Sequence, residues 1–160
     1  MTLLDDWISI VKNKFGDGCP NGFLLEWDVN RYHSSIKEIC RNCKVTNQTD
    51  FNYAYCNTYE IRPETRNTKF IYELTLNISF IVDAFSLHWT KYTTNLKKGG
   101  VISSNEIEVE YDPTDGLIKF LEKNEYQEVK SDWFEINIDD VQLELAEKAT
   151  LGKCLFHDYE

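Results

Sequence analysis

The chain has 160 residues, 42% of them hydrophobic, 14% aromatic and 28% charged, with a formal net charge of −10. This composition excludes the low hydrophobicity of disordered segments, and a chain of this length buries roughly 70% of its unfolded surface on folding. No window approaches the roughly 18 uninterrupted apolar residues that a membrane-crossing helix needs, because Glu73, Asn77, Asp83 and His88 interrupt the richest stretch, residues 70–89.

Leu3, Leu4, Trp7, Ile8, Val11 and Phe15 recur at three- and four-residue spacings between Thr2, a capping residue, and Gly16. The pattern predicts an amphipathic helix over residues 2–15. Asp5 and Asp6 stand where a secretory signal carries Lys or Arg, so no signal peptide is expected. GDGCPNG reads as a turn cluster and FLLEWDV as a short strand. RYHSSIKEICRNC, with Tyr32, Ile36, Ile39, Cys40 and Cys43 on one stripe, reads as a second helix.

From Phe51 the period changes to two, and the alternation runs to Ile61 before the turn RPETRNT. Phe70, Tyr72, Leu74, Leu76, Ile78, Phe80 and Val82 then take every second position, the clearest strand in the chain. At Asp83 and Ala84 the phase slips to Phe85, Leu87 and Trp89, which requires a bulge or a turn between two strands; either gives a bent antiparallel sheet. After the polar loop TTNLKKGG, Ile107, Val109 and Tyr111 alternate with Glu106, Glu108, Glu110 and Asp112, predicting a further strand. GLIKFLEKNEY is helical in pattern, residues 131–147 fit strand or helix, and Cys154 to Phe156 fit a last strand. Together these predict one α+β domain over residues 1–160: a bent antiparallel sheet of about five strands packed with an N-terminal helix and one or two further helices.

The charge is uneven. Residues 1–102 hold 11 acids and 12 bases, whereas residues 103–147 hold 14 acids and 3 bases. On a strand, Glu106, Glu108, Glu110 and Asp112 would share one face at spacings of about 6.5 to 7 Å. Such a ladder is either a solvated face that blunts a sheet edge or a docking face for a basic protein, whose binding relieves the repulsion. Lys97 and Lys98 form the only basic doublet, so nucleic acid is not an expected ligand.

The candidate chemistry is thin. The gap between Cys40 and Cys43 would let both reach one metal, with His33 and Cys56 as further ligands, but no second close pair follows. Buried thiols are the better reading, with no metal or cofactor. The five cysteines, an odd set in a chain that needs no staples, also point to a reducing, cytoplasmic setting. His157 and Asp158 resemble a metal-phosphohydrolase dipeptide without its other ligands, and no nucleophile elbow or phosphate-binding loop is present. Tyr92 and Tyr126 are candidate interface anchors.

The acidic, aromatic-rich profile, the segment LTLNISFIVDAFSLHW and the ending ATLGKCLFHD resemble the immunity proteins that protect bacteria from polymorphic or contact-dependent toxins, over about the last two-thirds of the chain. The resemblance implies stoichiometric inhibition: the chain binds a cognate toxin domain, often basic, and blocks its active site or conformational cycle. It implies no catalytic residues, and it makes Glu106, Glu108, Glu110 and Asp112 the first candidates for contact. Two other classes remain open: an enzymatic or small-molecule-binding domain with a pocket in the bent sheet lined by His88, Trp89 and Tyr92, and an adaptor or structural subunit.

Overall fold

The computed structural model describes residues 2–65, 69–93, 100–103 and 106–159. Lys97 and Lys98, and parts of the turn RPETRNT and the loop TTNLKKGG, lie outside them.

The fold is α+β, in the order α1 (Leu3–Lys14), α2 (His33–Ile39), β1 (Cys43–Asn47), β2 (Cys56–Pro63), β3 (Phe70–Ser79), β4 (Ala84–Thr93), β5 (Val101–Ile102), α3 (Thr114–Lys123), β6 (Gln127–Glu128) and α4 (Leu151–Leu155). Strands β1 to β5 form an antiparallel meander, and β6 adds a short parallel pairing to β4 at Ala84 and Phe85. The register places Tyr59 opposite Leu76, Thr75 opposite His88 and Asn77 opposite Ser86.

Period two in β2, β3 and β4 separates the faces of the sheet. On one face Tyr59, Ile61, Tyr72, Leu74, Leu76, Ile78, Phe85 and Trp89 are buried with Ile36 of α2 and Leu117 and Leu121 of α3. Gly116 lets those helices meet, since a Cβ there would stand 3.1 Å from Ile39 Cγ2. A second apolar cluster gathers Trp7, Val11, Phe15, Phe51, Tyr55, the turn residues Phe80, Ile81 and Val82, and Leu151, Cys154 and Leu155 of α4. Helix α1 starts with the expected cap: Asp5 N donates to Thr2 Oγ1 at 3.2 Å, and Thr2 N donates back to Asp5 Oδ2 at 3.3 Å.

Several expectations are corrected. FLLEWDV is a turn, because Asn21 Oδ1 accepts from Phe23 N at 2.9 Å and Leu24 N at 3.2 Å, winding the chain, and Glu26 has φ of 55°. The strand read from Phe51 begins only at Cys56, after turns at Asp50 and Tyr53. The phase slip near Asp83 is a turn between β3 and β4, so the strand read to Val82 ends at Ser79. Residues 106–112 are not a strand: they run as a strap whose Glu110 N donates to Glu64 O and whose Glu108 O accepts from Thr65 Oγ1, without a ladder. Residues 131–147 are neither helix nor strand beyond a 3₁₀ turn at Ser131–Trp133. The segment read as a last strand is α4, capped by Thr150, whose Oγ1 accepts from Lys153 N. A Cβ at Gly152 would stand 2.7 Å from Phe134 Cδ1, so α4 packs there because position 152 has no side chain.

Candidate functional site

The polar face of the sheet forms the floor of an open trough of about 650 Å³. β2 supplies Thr58 and Glu60, β3 supplies Glu73, Thr75 and Asn77, and β4 supplies His88, Thr90 and Tyr92. Asp50 and Asn52 on one side, and His157 and Tyr159 from the chain end, complete the walls with Gly100 and Val101. The chain end is held there by a bridge between Ala54 and His157 and by Asp158 N donating to Tyr53 O.

Asn77 is the hub of the deep end. Its Oδ1 accepts from Thr58 Oγ1 at 2.9 Å and lies 3.1 Å from His157 Nε2, and its Nδ2 donates to Ser86 Oγ at 3.2 Å. Cys56 Sγ lies 3.7 Å from the same His157 nitrogen. Cysteine and histidine at this distance are the residue types of a nucleophilic pair, but Cys56 is 0% exposed, so no substrate atom reaches its sulfur.

Towards the shallow end the charges gather. Glu73 is 3% exposed and accepts from Arg62 Nε at 2.7 Å. Burial, followed by the repulsion of Glu73, raises the Glu60 carboxyl above its ordinary range, against the opposing pull of Arg62 and a hydrogen bond with Gln48. Burial and then Glu73 likewise raise the Tyr92 phenol. Thr90 is 8% exposed and lines the trough.

Of the three pocket residues expected from the sequence, the structure brings His88 and Tyr92 together and sends Trp89 to the opposite face. An odd position between two even ones on a strand cannot share their side. Trp89 is 4% exposed, and its Nε1 has no hydrogen-bond partner among the described residues. Sequence reasoning missed Glu60, Glu73, Thr75, Asn77 and Thr90, and weighed His157 only as half of a dipeptide with Asp158. The signal was present, since Glu73, Thr75 and Asn77 fall in the most apolar stretch and share their phase, across the hairpin, with Ser86, His88 and Thr90.

The four acids of the strap, Glu106, Glu108, Glu110 and Asp112, are all exposed, while Ile107 and Val109 between them pack against the apolar cluster beneath α2 and α3. Tyr111 OH donates to Ile39 O at 3.4 Å, and Asp112 Oδ1 accepts from Thr114 N at 2.9 Å, securing the far end. Cys43 is raised first by burial and then by Asp112 and Glu64. Cys56 lies in β2 beside His157 and Asn77, away from the pair formed by Cys40 and Cys43. Among the described residues no three His, Cys, Asp or Glu groups converge to hold a metal ion, and no helix is long and apolar enough to cross a membrane. None of the five cysteines is in a disulfide.

No protein-family model matches the chain, and neither a curated protein nor a solved structure matches it.

Proposed function

We propose that this chain acts by stoichiometric binding of a basic protein partner in the cytoplasm, in the manner of an immunity protein that neutralises a cognate toxin domain, and performs no chemistry of its own. The observation that carries the reading is the strap over residues 106–112, which displays four carboxylates on a backbone pinned by Ile107, Val109 and Tyr111. Charges carried on a backbone that is already in place lose little conformational freedom on binding. The field of such a strip accelerates encounter with a basic surface and weakens with salt.

The test is a pull-down from native-host lysate at low and high salt, followed by measured association of the captured protein with the variant carrying Glu106→Lys, Glu108→Lys, Glu110→Lys and Asp112→Lys. Capture of one basic protein, released by salt and bound at least about tenfold more weakly by the variant, is the expected result. Unchanged binding by the variant overturns the assignment of the strap, and the absence of any partner at either salt overturns the binding reading.

A further inference from the structure

We propose that the turn over residues 22–29 is the apolar anchor of a protein interface, and that its occupant is an apolar cleft bordered by Lys or Arg on a basic protein. The partner is the basic protein of the proposed function, on which this assignment rests, and the turn adds what the strap lacks. Exposed charges chiefly speed encounter, whereas most binding free energy resides in a few large side chains that lose water on docking.

Phe23, Leu24 and Leu25 follow one another in the chain and are 51%, 85% and 61% exposed. Single apolar side chains on a surface are ordinary, but among the described residues no other two exposed large apolar side chains are adjacent in sequence. The fold makes little use of them: the Phe23 ring meets that of Phe51 edge-on at 5.1 Å, and neither leucine belongs to an apolar cluster. The backbone beneath them is nevertheless fixed at both ends. Leu25 N donates to Asn21 O at 3.0 Å and Trp27 N to Gly22 O at 2.9 Å, and Gly22 lies so close to the Phe51 ring that a Cβ there would stand 2.5 Å from it. At the far end the fully buried Asn57 accepts from Trp27 Nε1 at 2.9 Å and donates to Asp28 O at 2.9 Å. Side chains presented on such a turn dock with little loss of backbone freedom.

Charge selects the occupant. From Phe15 to Asn30 the chain carries Asp17, Glu26 and Asp28 and no Lys or Arg, and all three acids are exposed. Glu26 and Asp28 follow the apolar run closely. The next cation, Arg31, lies over the Trp27 ring at 4.7 Å and donates to Tyr126 OH at 3.1 Å. A second copy docking through the same turn would set Glu26 and Asp28 against their own counterparts, and an anionic membrane surface would repel them. A cleft rimmed by Lys or Arg instead matches the apolar run at its centre and the acids at its edge.

The experiment installs the photo-crosslinking residue benzoylphenylalanine at position 24 of the full chain in native-host cells, with the exposed position 119 of α3 as the control site, and identifies adducts by mass spectrometry. The expected result is an adduct with one basic protein from position 24 and none from position 119. That protein, purified, should bind the variant Leu24→Ser, Leu25→Ser at least about tenfold more weakly, through faster dissociation. It should bind Glu26→Gln, Asp28→Asn severalfold more weakly and with a shallower salt dependence. Both variants should keep the wild-type urea midpoint, since neither leucine packs in a cluster and Asn retains the oxygen with which Asp28 accepts from Asn30 N. The proposal is overturned by the absence of an adduct specific to position 24, by an adduct with an acidic protein or a second copy of the chain, or by unchanged affinity in the leucine variant. It is overturned equally if the wild type cosediments with vesicles of phosphatidylcholine and phosphatidylglycerol and the leucine variant does not. The lysine variant of the strap separates the two readings: a loss there with none in the leucine variant sinks the turn alone, and the reverse pattern sinks the strap alone.

Discussion

Glu73 and Arg62 form an ion pair of 2.7 Å whose ends occupy different environments: the Glu73 side chain is 4% exposed and that of Arg62 44%. Arg62 thus compensates a charge that could not otherwise remain inside. Removing only the arginine strands the buried carboxylate, whereas removing both leaves no carboxylate stranded at position 73. Arg62→Ala should destabilise the chain by about 1–3 kcal/mol in urea unfolding, less than a fully buried pair because water screens the arginine. The double variant Arg62→Met, Glu73→Leu should be less destabilised than Arg62→Ala. Equal or greater loss in the double variant would show that the pair adds net stability beyond compensation.

Glu60 sets a pH dependence whose sign follows from its raised carboxyl. Between its ordinary value of 4.5 and the raised one, the folded chain keeps a proton that the unfolded chain has lost. Stability therefore falls as pH rises through that interval. Glu60→Gln removes the contribution, so the wild type should lose more stability than the variant between pH 4.5 and neutrality. Parallel unfolding midpoints across the interval would show that Glu60 does not titrate differently on folding.

Asp158 is fully buried and gathers three backbone donors: Glu144 N at 2.9 Å, Ala146 N at 2.8 Å and Leu145 N at 3.2 Å. It holds residues 144–146, while Asn137 upstream makes an antiparallel bridge with Thr150. Asp158→Asn puts an amide donor among those N–H groups and should cost about 2–3 kcal/mol. Hydrogen exchange at residues 144–146 should accelerate in that variant, while exchange in β3 follows the global change alone.

Burial pushes the Cys40 and Cys154 thiols up to about 12, and it also raises Cys19 and Cys43, which are less enclosed. Alkylation needs the thiolate. At pH 8 in the native state, iodoacetamide should label Cys40 and Cys154 about a thousandfold more slowly than an unfolded thiol, with Cys19 and Cys43 ahead of them. Mass spectrometry of labelled peptides at timed intervals reads the order, and fast labelling of Cys40 would contradict its enclosed setting at the C-terminal cap of α2.

What the sequence by itself determined about this protein lies within single elements. The Thr2 cap, the stripe of α1, the alternation of β3 and the helical pattern of α3 each need only residues a few positions apart, which is the range over which backbone periodicity acts. Tertiary structure decided the rest. Residues 106–112 alternate like a strand, yet their apolar positions are satisfied by the cluster beneath α2 and α3 without a ladder partner. The segment at Cys154 to Phe156 is helical because Thr150 caps it and Gly152 admits Phe134, which arrives from elsewhere in the chain. The trough is the clearest case: Glu60, Thr75, His88 and Thr90 read as ordinary polar strand positions until register sets them side by side and His157 closes the end. Alternation tells which residues share a face of one strand, but which faces converge, and what burial then does to their charges, is decided by contacts between residues far apart in the chain.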